Sequence, residues 1–403
     1  MKLISRDDYI NRLKAVEGLP DIKILTGIRR AGKSKLLEET VRRIKKSGAK
    51  VNVIAIDLTL MKNERLKDYH ELYEYIKKQT KKGVRNCLMI DEVQMCKNFE
   101  FVINSLHTET KCRYDIYLTG SNAFLLSSDL TTLFTGRHFE LKTYPFSFRE
   151  FLKYFPREKD IQAAFDRYVV AGGLAGSYLY KDETARVEYL REIYRTIIRR
   201  DIALRYNLPD TTVLERLAEF LMDNVGNVTS ANNLADELVR NKVATNHVTI
   251  GNYLRYLTDA YLFSEAKRYD VRGKKYLEQS GKFYLMDAGL RYALLGRRNM
   301  DYGHVYENLV YLELLRRGYE VYVGKLYKKE IDFVAMKGSE KLYIQVSDDI
   351  SSPETRTREL EPLKQIKDAY PKILLAHTRN EETDAEGIRI IDLAAWLCGS
   401  AFA

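Results

Sequence analysis

The chain has 403 residues, of which 45% are hydrophobic and 30% are charged. This composition is ordinary for globular protein, and it excludes a largely disordered chain, a collagen-like fibre and a multi-span membrane protein. At roughly 100–200 residues per domain, the length predicts two to four domains. The formal net charge of +10 favours an anionic partner such as a nucleotide or a nucleic acid.

The cysteines and the first residues indicate the compartment. The four cysteines have no metal-ligand spacing and the six histidines are scattered singly, so we expect reduced thiols and no zinc site. Residues 1–8 include acidic side chains where a signal peptide needs an apolar core. No stretch approaches the roughly 18 apolar residues of a membrane span. We therefore expect a cytoplasmic protein with no membrane partner.

Residues 22–121 alternate short β-rich runs with helical patterns. The apolar runs read as buried strands, because nearly every position in them is hydrophobic. They are Ile22–Thr26, 51–58, 87–90 and Tyr114–Thr119, and helices are predicted at Lys33–Lys46 and within 68–78. This alternation predicts βαβ units and a parallel sheet with helices on both faces.

From about residue 146 the pattern becomes helical, and it returns to an α/β pattern near residue 302. Apolar residues at three- and four-residue spacing predict helices, and two later runs read as strands around a basic turn. The helices are predicted at 147–155, 159–170, 185–205, 211–223, 231–238 and 245–258, and the strands at 262–269 and 282–286.

The strongest motif is a phosphate-binding loop at residues 27–34, a full G-x-x-x-x-G-K-[ST] match between an apolar strand and a helix. Glycines let backbone N–H groups surround phosphate oxygens, and the helix N-terminus adds positive potential. Lys33 would reach the β- and γ-phosphates of ATP, and the Ser34 hydroxyl would bind Mg²⁺. The predicted nucleotide-binding residues are Gly27, Ile28, Arg29, Arg30, Ala31, Gly32, Lys33, Ser34 and Lys35. Arg29 and Arg30 either add charge at the loop or are solvated.

Two acidic residues follow the apolar run 87–90. Asp91 would hold Mg²⁺ through water at the carboxyl end of its strand, where open α/β sheets bind ligands. Glu92 beside it could polarise a water molecule for attack on the γ-phosphate, which favours hydrolysis over binding alone.

Two further residues are catalytic candidates. Asn122 follows the next strand in a Gly-Ser-Asn sequence, where small polar groups could orient the water or sense the γ-phosphate. The alternative is a turn selected for its backbone geometry. Arg137 is a candidate arginine finger, acting in cis or in trans, and an exposed structural arginine is the alternative.

These motifs resemble those of the prokaryotic AAA+ ATPases that join an AAA domain to a C-terminal domain of unknown function. The resemblance covers nearly the whole chain. It rests on Gly27-Ile-Arg-Arg-Ala-Gly-Lys-Ser34, Ile90-Asp-Glu-Val-Gln94, Leu118-Thr-Gly-Ser-Asn122, Thr135-Gly-Arg137, Tyr144-Pro-Phe-Ser-Phe-Arg-Glu-Phe151, Arg199-Arg-Asp-Ile-Ala-Leu-Arg-Tyr206, Lys282-Phe-Tyr-Leu-Met-Asp-Ala-Gly289, Tyr306-Glu-Asn308 and Glu330-Ile-Asp-Phe333.

The resemblance implies an α/β fold with four parts. These are an AAA+ P-loop core with a parallel sheet at 1–155, a helical connector at 156–210, a winged helix at 211–300 and a smaller restriction-endonuclease-like module at 301–403. A homo-oligomer is one open alternative, since Arg137 could act on a neighbouring subunit.

The winged-helix candidate consists of two helices with helix-turn-helix spacing and a basic hairpin. A recognition helix in the major groove and a cationic wing on phosphates would bind DNA, and a protein partner is the alternative. The candidate nucleic-acid contacts are Asn246, His247, Thr249, Arg255, Arg272, Lys274 and Lys275.

The C-terminal module resembles the PD-(D/E)xK nuclease fold, in which a helix Glu, a strand Asp and an acid-x-Lys pair surround Mg²⁺. Glu307, Asp332 and Gln345 occupy the three metal-binding positions. Gln345 has no charge and Ser347 stands where the lysine is expected, although Lys341 or Lys328 could substitute in space. We therefore expect a degenerate module that cleaves DNA little.

Together these features predict an ATP-binding and ATP-hydrolysing protein that uses Mg²⁺ and couples its nucleotide state to DNA or to a protein. The alternatives are a regulatory switch whose winged helix binds protein and an ATP-regulated nuclease.

Overall fold

The computed structural model describes residues 4–48, 50–109, 112–122, 137–296, 301–327 and 329–399, apart from the side chains of residues 275–279. The chain folds into two compact units. One comprises residues 4–143 with 259–261, and the other comprises 144–258 and the residues from 262 onward.

The first unit is built on a parallel sheet. Its strands within the described residues are β1 (Ile22–Thr26), β2 (Val51–Asp57), β3 (Arg85–Asp91), β4 (Tyr114–Thr119) and β5 (His138–Lys142). Their order across the sheet is β2-β3-β4-β1-β5, and each neighbouring pair is parallel. The predicted parallel sheet is confirmed, with β5 as a strand that the sequence did not reveal.

One helix of this unit precedes β1, and three connect successive strands from β1 to β4 within the described residues. They are α1 (Asp7–Ala15), α2 (Lys33–Lys46), α3 (Tyr69–Gln79) and α4 (Phe99–Thr108), with 3₁₀ turns at Met61–Lys67 and Val93–Met95. α2 and α3 confirm the predicted helices, whereas α1 and α4 were not predicted. The apolar faces of α3 and α4 pack on the sheet through a continuous cluster that includes Leu72, Ile76, Val102 and Ile103. Burial of this apolar surface is the main favourable contribution to folding of the unit.

The sheet register places the predicted site residues at one edge. Ile90 pairs with Leu118 and Leu25 pairs with Thr119, so β1, β3 and β4 end at nearly the same level. The loop from β1 to α2 begins at this carboxyl edge. Open parallel sheets bind ligands there, because the connections leave on both sides and form a crevice.

The second unit carries the other helices found within the described residues. They are Phe148–Tyr154, Ile161–Ala171, Glu183–Thr196, Thr212–Asp223, Ala231–Arg240, His247–Asp259, Ala288–Leu295, Tyr302–Arg316, Pro353–Lys364 and Leu393–Leu397. A 3₁₀ turn spans Ala175–Leu179. The helix predicted at 185–205 is α-helical only to Thr196 and continues as a π-helix at Ile197–Ala203. A π-helix widens the turn by one residue, which a periodicity of apolar residues does not reveal over so short a span.

The second unit also contains a mixed sheet of nine strands within the described residues. The strands are β6 (Val228–Thr229), β7 (Phe263–Asp270), β8 (Lys275–Leu285), β9 (Glu320–Leu326), β10 (Lys329–Lys337), β11 (Glu340–Ser347), β12 (Lys372–Ala376), β13 (Thr383–Ala385) and β14 (Ile388–Asp392). Their order is β13-β14-β12-β11-β10-β9-β7-β8-β6. The parallel pairing of β7 with β9 makes one sheet from strands on both sides of residue 300.

The helices Ala231–Arg240 and His247–Asp259, followed by the β7–β8 hairpin, lie where the winged helix was predicted. The assignment of this segment as a winged helix, and the division of the chain into four domains, remain predictions. In the part of the chain that the structure describes, no helix is long and apolar enough to cross a membrane.

Candidate nucleotide-binding site

The loop between β1 and α2 has a backbone conformation that depends on its two glycines. Gly27 has a φ of 128°, and a Cβ atom there would lie 2.1 Å from the backbone oxygen of Thr143. Gly32 precedes α2 with a φ of 98°, and Arg30 between them has a φ of 68°. Such left-handed positions shape the backbone concavities that bind anions, and here the loop leads directly into a helix N-terminus.

Lys33, the first residue of α2, is buried and its side chain folds back over the loop. Its Nζ donates hydrogen bonds to the carbonyl oxygens of Gly27 at 2.8 Å and Ile28 at 3.1 Å. The positive charge is therefore held against the backbone of the loop, beside the segment predicted to bind the nucleotide phosphates.

The other loop residues differ in exposure. Ile28 and Ala31 are buried, Arg29 is half-buried and Arg30 is exposed. Lys35 forms an exposed ion pair with Glu38 at 2.7 Å. Ile28, Ala31 and Lys35 therefore have side chains directed to the core or to solvent, and any contribution to nucleotide binding would come from their backbone.

Arg6 adds a second cation beside the loop. Its Nη1 donates to the carbonyl oxygen of Ala31 at 2.9 Å, and its guanidinium lies over the ring of Tyr9 at 4.3 Å. Arg6 is buried. Sequence reasoning missed this residue, because no motif connects it with a loop 25 positions later.

Asp91 and Ser34 are brought together at the carboxyl edge of the sheet. The Ser34 hydroxyl donates to the carboxylate of Asp91, which also accepts a hydrogen bond from Thr119. Burial raises the pKa of Asp91, and these two hydrogen bonds lower it in part. Hydroxyl and carboxylate oxygens are the hard ligands that Mg²⁺ prefers. The pair therefore fits the magnesium site predicted from the sequence.

Glu92 occupies a left-handed backbone position with a φ of 53°. Its backbone N–H donates to the Thr119 hydroxyl at 2.9 Å. Its carboxylate oxygen Oε2 accepts hydrogen bonds from Gln94 Nε2 and, at 3.3 Å, from Ser121 Oγ. The carboxylate is thus oriented by one donor in the turn that follows β3 and by another in the segment that follows β4.

The two remaining catalytic candidates follow β4 and precede β5. Asn122 is buried. Arg137 is exposed, and its carbonyl oxygen accepts the N–H of Ile22 at 3.0 Å, next to the start of β5. Residues 123–136, including Gly136 of the predicted finger motif, lie outside the described residues. The roles of Asn122 and Arg137 stay predictions.

A cleft of about 430 Å³ adjoins Ser34 and Asp91. Its walls include Glu38 of α2, Asp57 at the end of β2 and Tyr75 of α3. This volume is within the roughly 300–1,000 Å³ of small-molecule sites. The site therefore combines a charged loop with an adjoining, partly apolar space.

The predicted DNA-contacting residues at the helix His247–Asp259 differ in their exposure and in their contacts. The Oδ1 atom of Asn246 accepts the N–H groups of Val248 and Thr249, each at 3.0 Å, so its side chain caps the helix. His247 is exposed and Thr249 is half-buried. Arg255 is exposed and lies over the ring of Tyr256 at 5.5 Å.

The predicted basic wing lies at the tip of the β7–β8 hairpin. Arg272 and Lys274 are exposed, and the Arg272 guanidinium lies 4.9 Å from the ring centre of Tyr327. The side chain of Lys275 lies outside the described residues.

The nuclease-like positions Glu307, Asp332 and Gln345 also come together, within the second unit. The Gln345 carbonyl oxygen accepts the N–H of Asp332 at 3.3 Å. The expectation that Lys341 could supply the missing cation is wrong, because its ammonium lies over aromatic rings, 4.8 Å from that of Tyr343. Lys328 lies outside the described residues. Lys282, which the sequence did not suggest, lies 2.9 Å from Glu307.

Two protein families match successive parts of the chain. A family model described as an AAA domain matches residues 20–152. A second model, described as a domain of unknown function (DUF8612), matches residues 162–301. The second match describes no chemistry, so the winged-helix and nuclease-like resemblances gain no support from it.

Two solved structures show a distant likeness. A Walker-type ATPase of Pyrococcus abyssi is 15% identical, with 73% of this chain and 96% of that chain covered and a TM-score of 0.49. DnaA of Aquifex aeolicus bound to AMPPCP is 16% identical, with 64% and 89% covered and a TM-score of 0.32. With TM-scores below 0.5, neither likeness carries a conclusion about this chain.

Two relatives that match most of the chain are more similar in sequence. An uncharacterized protein of Methanocaldococcus jannaschii is 28% identical over 387 residues, which cover 91% of this chain and 84% of that protein. An uncharacterized protein of Haemophilus influenzae is 37% identical over 400 residues, 98% of each chain. With the Haemophilus influenzae protein, this chain therefore belongs to a family of AAA-type P-loop proteins that carry a second domain of unknown function.

Proposed function

We propose that this protein binds ATP at residues 27–35 and hydrolyses it. The observation that carries the proposal is the hydrogen bond between the Ser34 hydroxyl and the Asp91 carboxylate. Lys33, the first residue of α2, contacts the adjoining loop, and Glu92 is next to Asp91 in the chain. A binding loop alone would explain Lys33 and Ser34. An oriented carboxylate beside the Asp91 site is the additional feature that hydrolysis needs.

Each residue has a separate role in this proposal. The loop backbone and Lys33 bind the β- and γ-phosphates, and the helix N-terminus of α2 contributes positive potential. Glu92 accepts a proton from the attacking water, and Gln94 and Ser121 hold its carboxylate in place. Ser34 and Asp91 would hold the Mg²⁺ ion that accompanies ATP and neutralises phosphate charge.

Two substitutions separate binding from hydrolysis. Lys33→Ala should weaken ATP binding, whereas Glu92→Gln should retain binding and slow phosphate release by roughly 10²–10⁴-fold. Glu64 and Lys67 form an exposed ion pair, so Glu64→Gln and Lys67→Ala are matched controls that should leave both properties unchanged. If Glu92→Gln hydrolyses ATP at the wild-type rate, Glu92 is not the general base. Absence of nucleotide binding by the wild-type protein would contradict the whole proposal.

We extend the proposal to Arg137 as an arginine finger and to Asn122 as a residue that positions water. A finger acting in trans predicts complementation. Mixing Arg137→Ala with Glu92→Gln would then restore part of the turnover, since a mixed assembly contains sites with both wild-type residues. A finger acting in cis predicts two inactive proteins and an inactive mixture. Unchanged turnover in Arg137→Ala would leave the arginine as a surface residue.

The second part of the proposal is that the nucleotide state controls contact with DNA through the helix His247–Asp259 and the hairpin tip. Its support is the exposure of Arg255, Arg272 and Lys274 together with the net charge of +10. A hollow of about 390 Å³ lined by Arg255, Ser280 and Gly281 adjoins the hairpin. The alternative is that this surface binds a protein instead of DNA.

A titration with DNA at several salt concentrations, with and without ATP, distinguishes these partners. Each contact between a cation and a phosphate contributes about 0.9 to the slope of log K against log salt. Replacing Arg272, Lys274 and Lys275 with alanine should flatten that slope by up to about three contacts. An unchanged slope would place DNA binding elsewhere, and absence of DNA binding would favour a protein partner.

A further inference from the structure

The nuclease-like region contains a group of four charged residues, which we call the charge cluster: the buried Lys282, Glu307 and Asp332 and the partly exposed Glu330. Lys282 lies on β8 and is only 3% exposed. Its ammonium lies 2.6 Å from Glu330, 2.9 Å from Glu307 and 4.0 Å from Asp332. Burial lowers the pKa of Lys282, but the three carboxylates raise it more, so the net shift is upward. The lysine is therefore charged.

Both carboxylate oxygens of Glu307 have partners within the protein. Oε1 accepts hydrogen bonds from Lys282 at 2.9 Å and from the Tyr284 hydroxyl at 2.5 Å. Oε2 lies 3.5 Å from Nδ1 of His304. The turn at Gly226 closes over this side, since a Cβ there would lie 2.9 Å from His304 Nδ1 and 3.2 Å from Glu307 Oε2. Not even a methyl group fits between the turn and this carboxylate.

The two other nuclease-like positions are engaged as well. Asp332 Oδ2 accepts the N–H of Val346 at 2.8 Å. Gln345 accepts the N–H of Asp332 and donates its amide to Glu359 at 3.1 Å. The side chain that replaces an acid at position 345 therefore joins β10, β11 and the helix Pro353–Lys364 through hydrogen bonds.

A divalent metal does not fit this arrangement. Mg²⁺ requires about six oxygen ligands at roughly 2.0–2.1 Å in near-octahedral geometry. The ammonium of Lys282 already lies among the oxygens that would provide them. Among the residues that the structure describes, no group of three or more His, Cys, Asp or Glu side chains is placed to hold a metal ion.

We propose that the Lys282 ammonium is the resident cation of the charge cluster and excludes a divalent metal from it. The cluster then acts as an internal ionic connection of β8, the helix Tyr302–Arg316 and β10. This role explains how the C-terminal strands keep nuclease-like acids without a nuclease centre. It also connects the strand of the proposed DNA-contacting hairpin to the rest of the nine-stranded sheet.

Charge, as well as geometry, favours Lys282 as the resident cation. Removing one partner of a buried, paired charge leaves the other uncompensated, which is strongly unfavourable. Without Lys282, the carboxylates would lack their cation, and an added divalent cation would be attracted to them. With Lys282 present, the same cation would have to displace a hydrogen-bonded ammonium.

Binding of Mn²⁺ to the nucleotide-free full-length chain, followed by the EPR signal of the free ion, tests this directly. Wild type, Asp332→Asn and Glu330→Gln should bind the same number of ions. Lys282→Ala should bind one more ion per chain, and the additional Asp332→Asn substitution should remove it. Any binding at the nucleotide site is common to all variants and cancels in the comparison.

Two outcomes would overturn the proposal. One is wild-type protein that binds one more Mn²⁺ than Asp332→Asn or Glu330→Gln, because metal and Lys282 would then coexist. The other is a folded Lys282→Ala protein that gains no metal. If Lys282→Ala does not fold, the comparison of wild type with Glu330→Gln still tests the proposal. That variant keeps Lys282 and changes a partly exposed residue. Cleavage of plasmid by wild type with Mn²⁺, lost in Asp332→Asn, would also overturn it.

Discussion

Thr119, the last residue of β4, donates its hydroxyl proton to the carboxylate of Asp91, the last residue of β3. The same hydroxyl accepts the backbone N–H of Glu92 at 2.9 Å. One side chain thus fixes both the proposed magnesium-binding acid and the backbone of the proposed base. This is possible because β3 and β4 are parallel neighbours in register.

Thr119→Val should impair hydrolysis without removing any proposed catalytic residue. Valine has a similar shape but neither the donor to Asp91 nor the acceptor for Glu92. Loss of a hydrogen bond that orients a metal ligand typically costs about 10–100-fold in metal affinity or activity. Steady-state phosphate release at varied Mg²⁺ checks this. Thr119→Ser should retain most of the turnover, and Thr108→Val on the exposed end of α4 is the control. Equal turnover in Thr119→Val and wild type would contradict the role.

Gly27→Ala should disrupt the loop. The methyl group would lie 2.1 Å from the Thr143 backbone oxygen, at a φ of 128°. Backbone strain and overpacking together predict a loss of roughly 2–6 kcal/mol in the free energy of unfolding. Gly48→Ala is the matched control, because Gly48 also has a positive φ but nothing lies within 4 Å of its Cβ position. That change should cost only about 1–2 kcal/mol. Urea unfolding measures both, and equal losses would show that the Thr143 contact is unimportant.

Asp115→Ala should destabilise the first unit strongly. Asp115 and Lys23 form an ion pair at 2.7 Å, with side chains only 1% and 0% exposed. Breaking such a buried pair costs about 3–5 kcal/mol, because the remaining charge stays buried without its counter-charge. Glu64→Ala, which breaks the exposed pair with Lys67, should cost less than about 1 kcal/mol. Urea unfolding at neutral pH distinguishes these values, and similar midpoints for the two variants would refute the prediction.

Asp287 should make stability depend on pH. Its carboxylate accepts the N–H groups of Gly173 at 2.6 Å and Gly289 at 3.0 Å. Burial raises the pKa of Asp287 from its usual 3.8 to about 7. Between about pH 4 and pH 7, Asp287 therefore keeps a proton in the folded chain that it has released in the unfolded chain. The contribution of this group to stability is therefore fully present below pH 4 and is lost as the pH rises to about 7.

The comparison of wild type with Asp287→Asn isolates this effect. The difference in the free energy of unfolding, wild type minus variant, should fall between pH 4 and 7, by at most about 1.4 kcal/mol per pH unit, and stay constant above pH 7. Parallel stability curves for the two proteins across this range would show that Asp287 does not titrate there.

The predicted elements of the first unit were found because their signals are local. The strands Ile22–Thr26 and Tyr114–Thr119 and the helix Lys33–Lys46 have the predicted bounds. α4 was missed although its buried residues have helical spacing: Phe99, Val102, Ile103 and Leu106. β5 carries no such signal, since its sequence His-Phe-Glu-Leu-Lys mixes charged and apolar residues and only Leu141 is fully buried.

The sequence by itself determined the phosphate-binding loop, the acids Asp91 and Glu92 and the parallel sheet behind them. This loop needs glycine at particular backbone angles, and a buried strand needs a run of apolar residues. Both features can therefore be recognised from consecutive residues of the sequence. These properties do not depend on which other parts of the chain lie nearby.

Only the tertiary structure decided which side chains from distant parts of the sequence contact residues such as Asp91 and Glu307. Thr119 lies 28 positions from Asp91, and Lys282 lies 25 positions before Glu307. The nuclease motif that the sequence resembles has a lysine two residues after the position of Gln345, whereas in the structure the cation beside Glu307 is Lys282 of β8. Hydrogen bonds and ion pairs act over a few ångströms in space, whatever the separation along the chain, and strand pairing sets which residues come within that range.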